Sequence, residues 1–421
     1  MSLFDITAIL LTLAAVFGFA NTRWLRLPPT VGVLAISLAV SLAMMLLDRL
    51  LPALELLPLV RRYLDSIDFN AALMHGMLGF LLFAGALHAD LDYFMRRRWT
   101  IVLLSTVGLL ISTAVVGVLS WRLFALLGLP ASLPACLVFG ALISPTDPIA
   151  VMGTLKTLHA PPSLEAKIGG ESLFNDGVAV VVFTALVTLL PAGSDPHAAG
   201  GHAGLDGPPA VLLFFLREAG GGGALGLAAG WVAYRMMLAI DDYKVEVLIT
   251  LALVMGGYAL AERLMVSGPI AMVAAGLLIG NRGRHFAMSP TVTDYLEKFW
   301  ELVDEFLNAV LFLLIGVEVL VVALRGRLML AGLAAVAIVL LARWISVSIP
   351  ILMLKWRLEF SQGVIRILTW SGLRGGISVA LALSLPPVPE KPAILACTYT
   401  VVLFSILVQG LTIRRVLRRF I

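Results

Sequence analysis

Charge is what this chain has least of: Asp, Glu, Lys and Arg make up 13% of its 421 residues, against 60% hydrophobic residues and a mean hydropathy of +1.00. Soluble domains carry about 25% charged residues, so a water-soluble globule is excluded and a polytopic membrane protein is indicated. Cysteine is nearly absent. Cys136 and Cys397 lie in apolar stretches and fit neither a metal spacing nor a disulfide framework, which leaves them as small buried hydrophobes. Long polar segments are missing as well. The longest, residues 191–209, is built from Gly, Pro and small polar residues that cannot bury a core. Its His197 and His202 make no metal motif, and the segment reads as a flexible outer loop. Only a short basic piece, 414–421, follows the last apolar stretch, so one transmembrane domain over 1–421 without a soluble regulatory tail is expected.

What is present is a succession of apolar runs, each near the length that crosses about 30 Å of hydrocarbon. They fall at about 3–21, 28–47, 70–90, 99–127, 133–155, 165–190, 210–237, 244–264, 267–281, 296–323, 328–354, 362–386 and 391–413, which makes about thirteen spans in an all-α membrane protein. No positive charge precedes the first run, whereas Arg23 and Arg26 follow it. The first run therefore reads as an uncleaved helix with its N-terminus outside, and the C-terminus is expected in the cytoplasm. This topology assigns 17 of the 30 Lys and Arg to cytoplasmic ends and nine to the outside. That bias is the expected one for a multi-pass protein of the plasma (inner) membrane. The net charge of +4 is thereby explained by orientation and gives no reason to propose nucleic acid as a partner.

Three polar motifs interrupt the apolar runs. Ser144-Pro145-Thr146-Asp147-Pro148 could be a helix-capping sequence, but it splits a span, and a backbone break is tolerated only where protein or a wet cavity surrounds it. A cation site is the better reading. In GGESLFNDGVAVVVF, Ser172 and Asp176 share one helix face and Glu171 and Asn175 form the adjacent row. A carboxylate at such depth costs about 2.5–3.5 kcal/mol even on the gentlest insertion scale, so these side chains should face the bundle interior and mark an ion or proton path. Hydroxyl, carboxylate and backbone oxygens suit a hard, partly dehydrated cation. Desolvation disfavours a charged carboxylate, so Asp176 could hold either a proton or a cation, but not both. The third motif is WSGLRGG, whose Arg374 keeps its proton and requires a counter-ion from among Glu171, Asp147 and Asp176. Arg343 and Arg366 are expected to snorkel to the interface from helix ends.

The spans broken at Thr146-Asp147 and at Gly372, Gly375 and Gly376 take the fifth place in runs 1–6 and in runs 8–13. Two inverted six-helix repeats, with the broken helices crossing near the midplane, follow as an expectation. Glu297, Glu301, Asp304 and Glu305 follow helical spacing and read as a solvated interfacial face, with an acidic funnel for cations as the alternative. His75 and His88 are expected to have local roles and not to sense pH.

SPTDP, GGESLFNDG, FLLIGVE (312–318), WSGLRGG and VLFSILVQGLT, in this order and spacing, resemble the monovalent cation/proton antiporters of the bacterial NhaP and animal sodium/proton exchanger type over nearly the whole chain. The resemblance implies a homodimer in the lipid bilayer and elevator-like movement of a core bundle, about 99–190 and 328–413, against a dimerisation part, about 1–98 and 210–323. It implies exchange of Na+, or else Li+ or K+, for H+ in the service of pH homeostasis, with no cofactor beyond the transported ions. Asp176 then corresponds to the ion- and proton-binding aspartate, with Asn175 as its amide neighbour. Thr146 and Asp147 belong to the broken helix beside it, and Ser172 adds a hydroxyl, so that Na+ sits at Asp176, Thr146 and Ser172. Glu171 corresponds to the glutamate that pairs with the arginine matched by Arg374. The Asn-Asp pair implies electroneutral 1:1 exchange. One departure stands out: relatives often carry a glutamate in the third span where this chain has Ala84, which leaves the site one oxygen ligand short. The rival readings are a cation channel, which needs a continuously wet pore, and an intramembrane hydrolase using Ser144 or Ser172, which lack an activating base in sequence.

Overall fold

The computed structural model describes residues 3–51, 77–158, 160–190, 208–320, 326–356 and 363–420. Helices account for the regular structure among these residues, and each expected apolar run contains helix among its described residues. Seven helical runs are long and apolar enough to cross a membrane: Asp5–Leu25, Pro29–Leu50, Leu91–Leu126, Leu164–Val187, Tyr243–Arg263, Arg327–Leu354 and Lys391–Phe420. In order, the helices are α1 (Leu3–Ala20), α2 (Pro29–Leu50), α3 (Leu78–Leu87), α4 (Leu91–Leu103), α5 (Leu109–Leu126), α6 (Leu133–Ile143), α7 (Ile149–Thr157) and α8 (Pro162–Val187). They continue as α9 (Pro208–Met237), α10 (Tyr243–Arg263), α11 (Gly268–Leu278), α12 (Pro290–Glu318), α13 (Arg327–Leu354), α14 (Val364–Ser371), α15 (Gly376–Leu383), α16 (Lys391–Phe404) and α17 (Gly410–Phe420). His75, His197 and His202 fall outside the described residues.

Local chemistry sets several boundaries. The fourth run begins well before the expected 99, because Asp90 caps α4 by accepting from the backbone N–H groups of Asp92 and Tyr93, and the arginines 96–98 ride inside the helix. A single wide turn, Leu104–Gly108, then joins α4 to α5. Prolines start α2, α8, α11, α12 and α16, where a missing N–H costs nothing.

The buried side chains form two principal cores. One gathers α6, α13, α15, α16 and the second half of α12, with Phe139, Phe312 and Tyr399 at its centre. The other gathers α3, α9, α10, α11 and the first half of α12 around Trp300, whose ring lies 4.7 Å from that of Phe83 and whose Nε1 donates to Thr250 Oγ1 at 3.1 Å. Helix α12 thus belongs to both. Outward faces keep large apolar side chains exposed, including Leu46, Leu126, Leu248 and Leu302. Such faces match a lipid solvent, which is as apolar as leucine.

Candidate functional site

The two interruptions meet in space. Helix α6 ends at Ile143 and α7 resumes at Ile149, while α14 ends at Ser371 and α15 starts at Gly376. Between the two breaks runs one antiparallel bridge, in which the Asp147 N–H donates to the Leu373 carbonyl at 2.8 Å. The Asp147 carboxylate caps α7 by accepting from the Ile149 N–H at 2.9 Å. Its other face lies against Gly375, where any Cβ would collide with the carboxylate. Glycine is needed there so that two backbones and a carboxylate can share the space.

Arg374 secures the crossing. Its Nη1 donates to the carbonyls of Ser144 and Pro145, the latter at 2.9 Å, and its N–H donates to Ser405 Oγ at 2.9 Å. These carbonyls are orphaned by the break at the C-terminal, electronegative end of α6, and a buried guanidinium is what such an end attracts. The break thus supplies part of the compensation for Arg374.

The expected pairing of Glu171 with Arg374 is therefore corrected. Glu171 takes Arg343 instead, in a two-pronged contact that includes Nη2 to Oε2 at 3.0 Å. Nε and Nη2 of Arg343 also donate to the Leu368 carbonyl at 3.2 and 3.1 Å. One guanidinium joins α8, α13 and α14. Arg343 is buried, so its expected snorkelling is overturned too: it stands sixteen residues from the start of α13 and eleven from its end, too deep for its side chain to reach either interface. Glu171 still interacts electrostatically with Arg374. Arg366 is exposed and stacks over Phe420 at 5.7 Å, as an interfacial arginine would.

Helix α8 runs unbroken past the first break and brings its polar row to it. Asn175 Nδ2 donates to Thr146 Oγ1 at 2.9 Å, while its Oδ1 faces the Thr146 N–H at 3.4 Å. A neutral amide can donate and accept in this way, whereas an ionised carboxylate would lose the donor. Thr146 Oγ1 also lies 2.9 Å from Ser172 Oγ. Asp176 and Asp147 interact electrostatically across this cluster. Exposure separates the roles. Thr146, Ser172 and Asn175 are each 2% exposed, with Thr146 bonded to both of the others, whereas Asp176 keeps 9% and Asp147 is half-buried. The two carboxylates keep the most exposure in the cluster, and the amide and hydroxyls hold the break.

Ala84 is fully buried in α3, and His88 closes the same helix with Nδ1 2.7 Å from the Ala84 carbonyl, a local role. Among the acidic residues of α12, Glu297 pairs with Arg284, Glu301 and Glu305 are exposed, and Asp304 is half-buried and interacts with Asp147. The sequence reading misplaced Arg343 at an interface and passed over Asn308. A charge in the middle of a 28-residue apolar helix and an amide inside LNAVLFLL were the signals available for them.

Comparison with known proteins gives the family. The family model described as "Sodium/hydrogen exchanger, transmembrane" matches residues 9–419. The Na(+)/H(+) antiporter NhaP of Pseudomonas aeruginosa is 48% identical, over 99% of this chain and 96% of its own length. The Na(+)/H(+) antiporter NhaH of Halobacillus aidingensis is 34% identical, over 98% and 97%. Among solved structures, the sodium proton antiporter MjNhaP1 of Methanocaldococcus jannaschii superposes with a TM-score of 0.74 at 19% identity, covering 100% of this chain and 99% of that one.

Proposed function

Because the chain belongs to the sodium/hydrogen exchanger family, whose model matches residues 9–419, we propose that it is a multi-pass secondary transporter exchanging Na+ for H+. The observation that carries this reading is the meeting of two broken helices against α8, with the Asp147 and Asp176 carboxylates beside the crossing and Arg374 and Arg343 holding the surrounding backbone. Names of relatives with near-complete mutual coverage support the same substrate pair.

In this reading Asp176 holds a proton or a cation in turn. Asn175, Thr146 and Ser172 keep the broken helix in place while the occupant changes, and Thr146 and Ser172 offer hydroxyl oxygens to Na+. One charge carried each way makes the cycle electroneutral, 1:1. Li+ and K+ are further candidate cargoes. The finer architecture belongs to the same proposal: about thirteen crossings in two inverted repeats, a homodimer, a core of about 99–190 and 328–413 that moves like an elevator against about 1–98 and 210–323, and an inner-membrane setting with the N-terminus outside. A hydrolase finds no support at the two serines, since Ser144 Oγ is engaged by Ser112 and the Gly140 carbonyl, and Ser172 by Thr146.

Reconstitution in proteoliposomes with a preset pH gradient tests the reading. Na+ added outside should collapse the gradient, and Asp176→Asn should abolish that response while the protein stays folded. Sustained exchange by Asp176→Asn would reject the assignment.

A further inference from the structure

We propose that Asp304 and Asn308 form a second, weaker station for a partly hydrated monovalent cation on the approach to Asp147 and Asp176. The inference deepens the exchange reading and rests on it. On α12, positions 304, 308 and 311 follow one another along a single face. Leu311 marks where that face points: a Cβ built on Gly376, the first residue of α15, would run into its side chain, and at neighbouring Gly375 a Cβ would meet the Asp147 carboxylate. The face therefore leads toward the second break. Asp304 interacts electrostatically with Asp147, and Asp147 in turn with Asp176.

Asn308 is the independent observation. It is 1% exposed; its side chain reaches the Asp304 carboxylate, to which only its N–H groups can donate, and its carbonyl oxygen has no hydrogen-bond partner. A buried carbonyl oxygen without a partner is costly, and leucine would serve the packing better. What the amide offers in return is a carbonyl oxygen beside a half-buried carboxylate, the donor set that a hard cation with part of its water shell prefers. Exposure falls from Glu301 through Asp304 to Asn308, so shedding of water and gain of protein oxygens would proceed together along the face.

Equilibrium binding of radioactive Na+ to the purified full chain at one alkaline pH tests the station separately from transport. Asp176→Asn should retain weak Na+ binding, and adding either Asp304→Asn or Asn308→Leu should remove it. In otherwise unaltered protein, each of these two changes should raise the half-saturating Na+ for exchange by roughly tenfold, more than it lowers the maximal rate. Glu301→Gln should leave that constant within about twofold, as expected for an exposed, screened charge. Absence of residual binding in Asp176→Asn, or residual binding indifferent to Asp304→Asn and Asn308→Leu, would overturn the station. So would a higher unfolding temperature for Asn308→Leu with Na+ half-saturation unchanged, which would mark the amide as a packing defect alone. Unaltered protein that fails to exchange Na+, Li+ or K+ would refute the exchange reading, whereas the binding measurement would still decide the station.

Discussion

At Glu171 one buried carboxylate must answer for two nearby guanidiniums, and geometry divides them. Arg343 takes both carboxylate oxygens, whereas Arg374 relies on the carbonyls that the broken helix leaves free. Removing one member of such a pair strands a charge in a low-dielectric core and costs about 3–5 kcal/mol, while removing both strands none. Glu171→Ala and Arg343→Ala should each lower the unfolding temperature in detergent, and the double variant should be no worse than either single one. A cycle combining Glu171→Ala with Arg374→Ala should show the smaller coupling. Additive losses for Glu171 and Arg343 would reject the contact, since independent sites add and bonded ones do not. The sequence disclosed that Arg374 needs a partner here, but neither which one it takes nor that Arg343 is buried beside Glu171. Three charges on two helices and a break can pair in more than one way, and the choice depended on carbonyls that become available only once Ser144 and Pro145 leave the helix.

Between elements, the closest approaches are made by residues with no chemistry of their own. Gly222, Gly226 and Gly230 stand four apart on α9 and face Ser267, Ala271 and Ala275 along the neighbouring helix, where a Cβ on Gly226 would strike the Ala271 backbone. With no hydrophobic force between helices in lipid, such small-residue seams let backbones pack closely and supply the association. Gly226→Val should therefore cost about 1–3 kcal/mol by overpacking, read as a lower unfolding temperature and a weaker maximal rate. Gly223→Val, where a Cβ meets nothing within 4 Å, should be nearly silent. Equal loss from both would deny the seam. The glycine run in GGGGALGLAAG was visible in the sequence, yet its spacing says nothing about which helix it meets. Helix existence, the two breaks and the polar row on α8 were legible because each follows from local pattern: apolar length, Pro-flanked Thr146-Asp147, and the continuation Val178–Phe183 that carries α8 through. The bridge from Asp147 to Leu373 and the Asn175–Thr146 clamp were not, since each joins residues from separate elements.

Among the described residues, large apolar side chains face outward, and Glu171, Asp176, Arg343 and Arg374 are buried near the crossing of the breaks, so that an ion held at Asp176 would leave most of its water. The resulting competition gives a prediction that belongs to the complete cycle. If the carboxylate carries one proton in one direction and one Na+ in the other, each half-cycle moves a single positive charge and the sum is zero. Exchange measured in vesicles clamped with potassium and valinomycin should then be indifferent to membrane potential, whereas an imbalance of even one charge would feel about 2.3 kcal/mol per 100 mV. The same sharing sets the sign of the pH effect. Protons occupy the carboxylate increasingly as pH falls, so the half-saturating Na+ must rise toward acid, by up to about tenfold per pH unit once the protonated form dominates. Titrating the Na+ response at several fixed pH values and potentials separates the two claims. A rate that climbs with inside-negative or inside-positive potential would reveal uncompensated charge and end the 1:1 reading, and a half-saturating Na+ that stays flat with pH would show that proton and cation do not share Asp176.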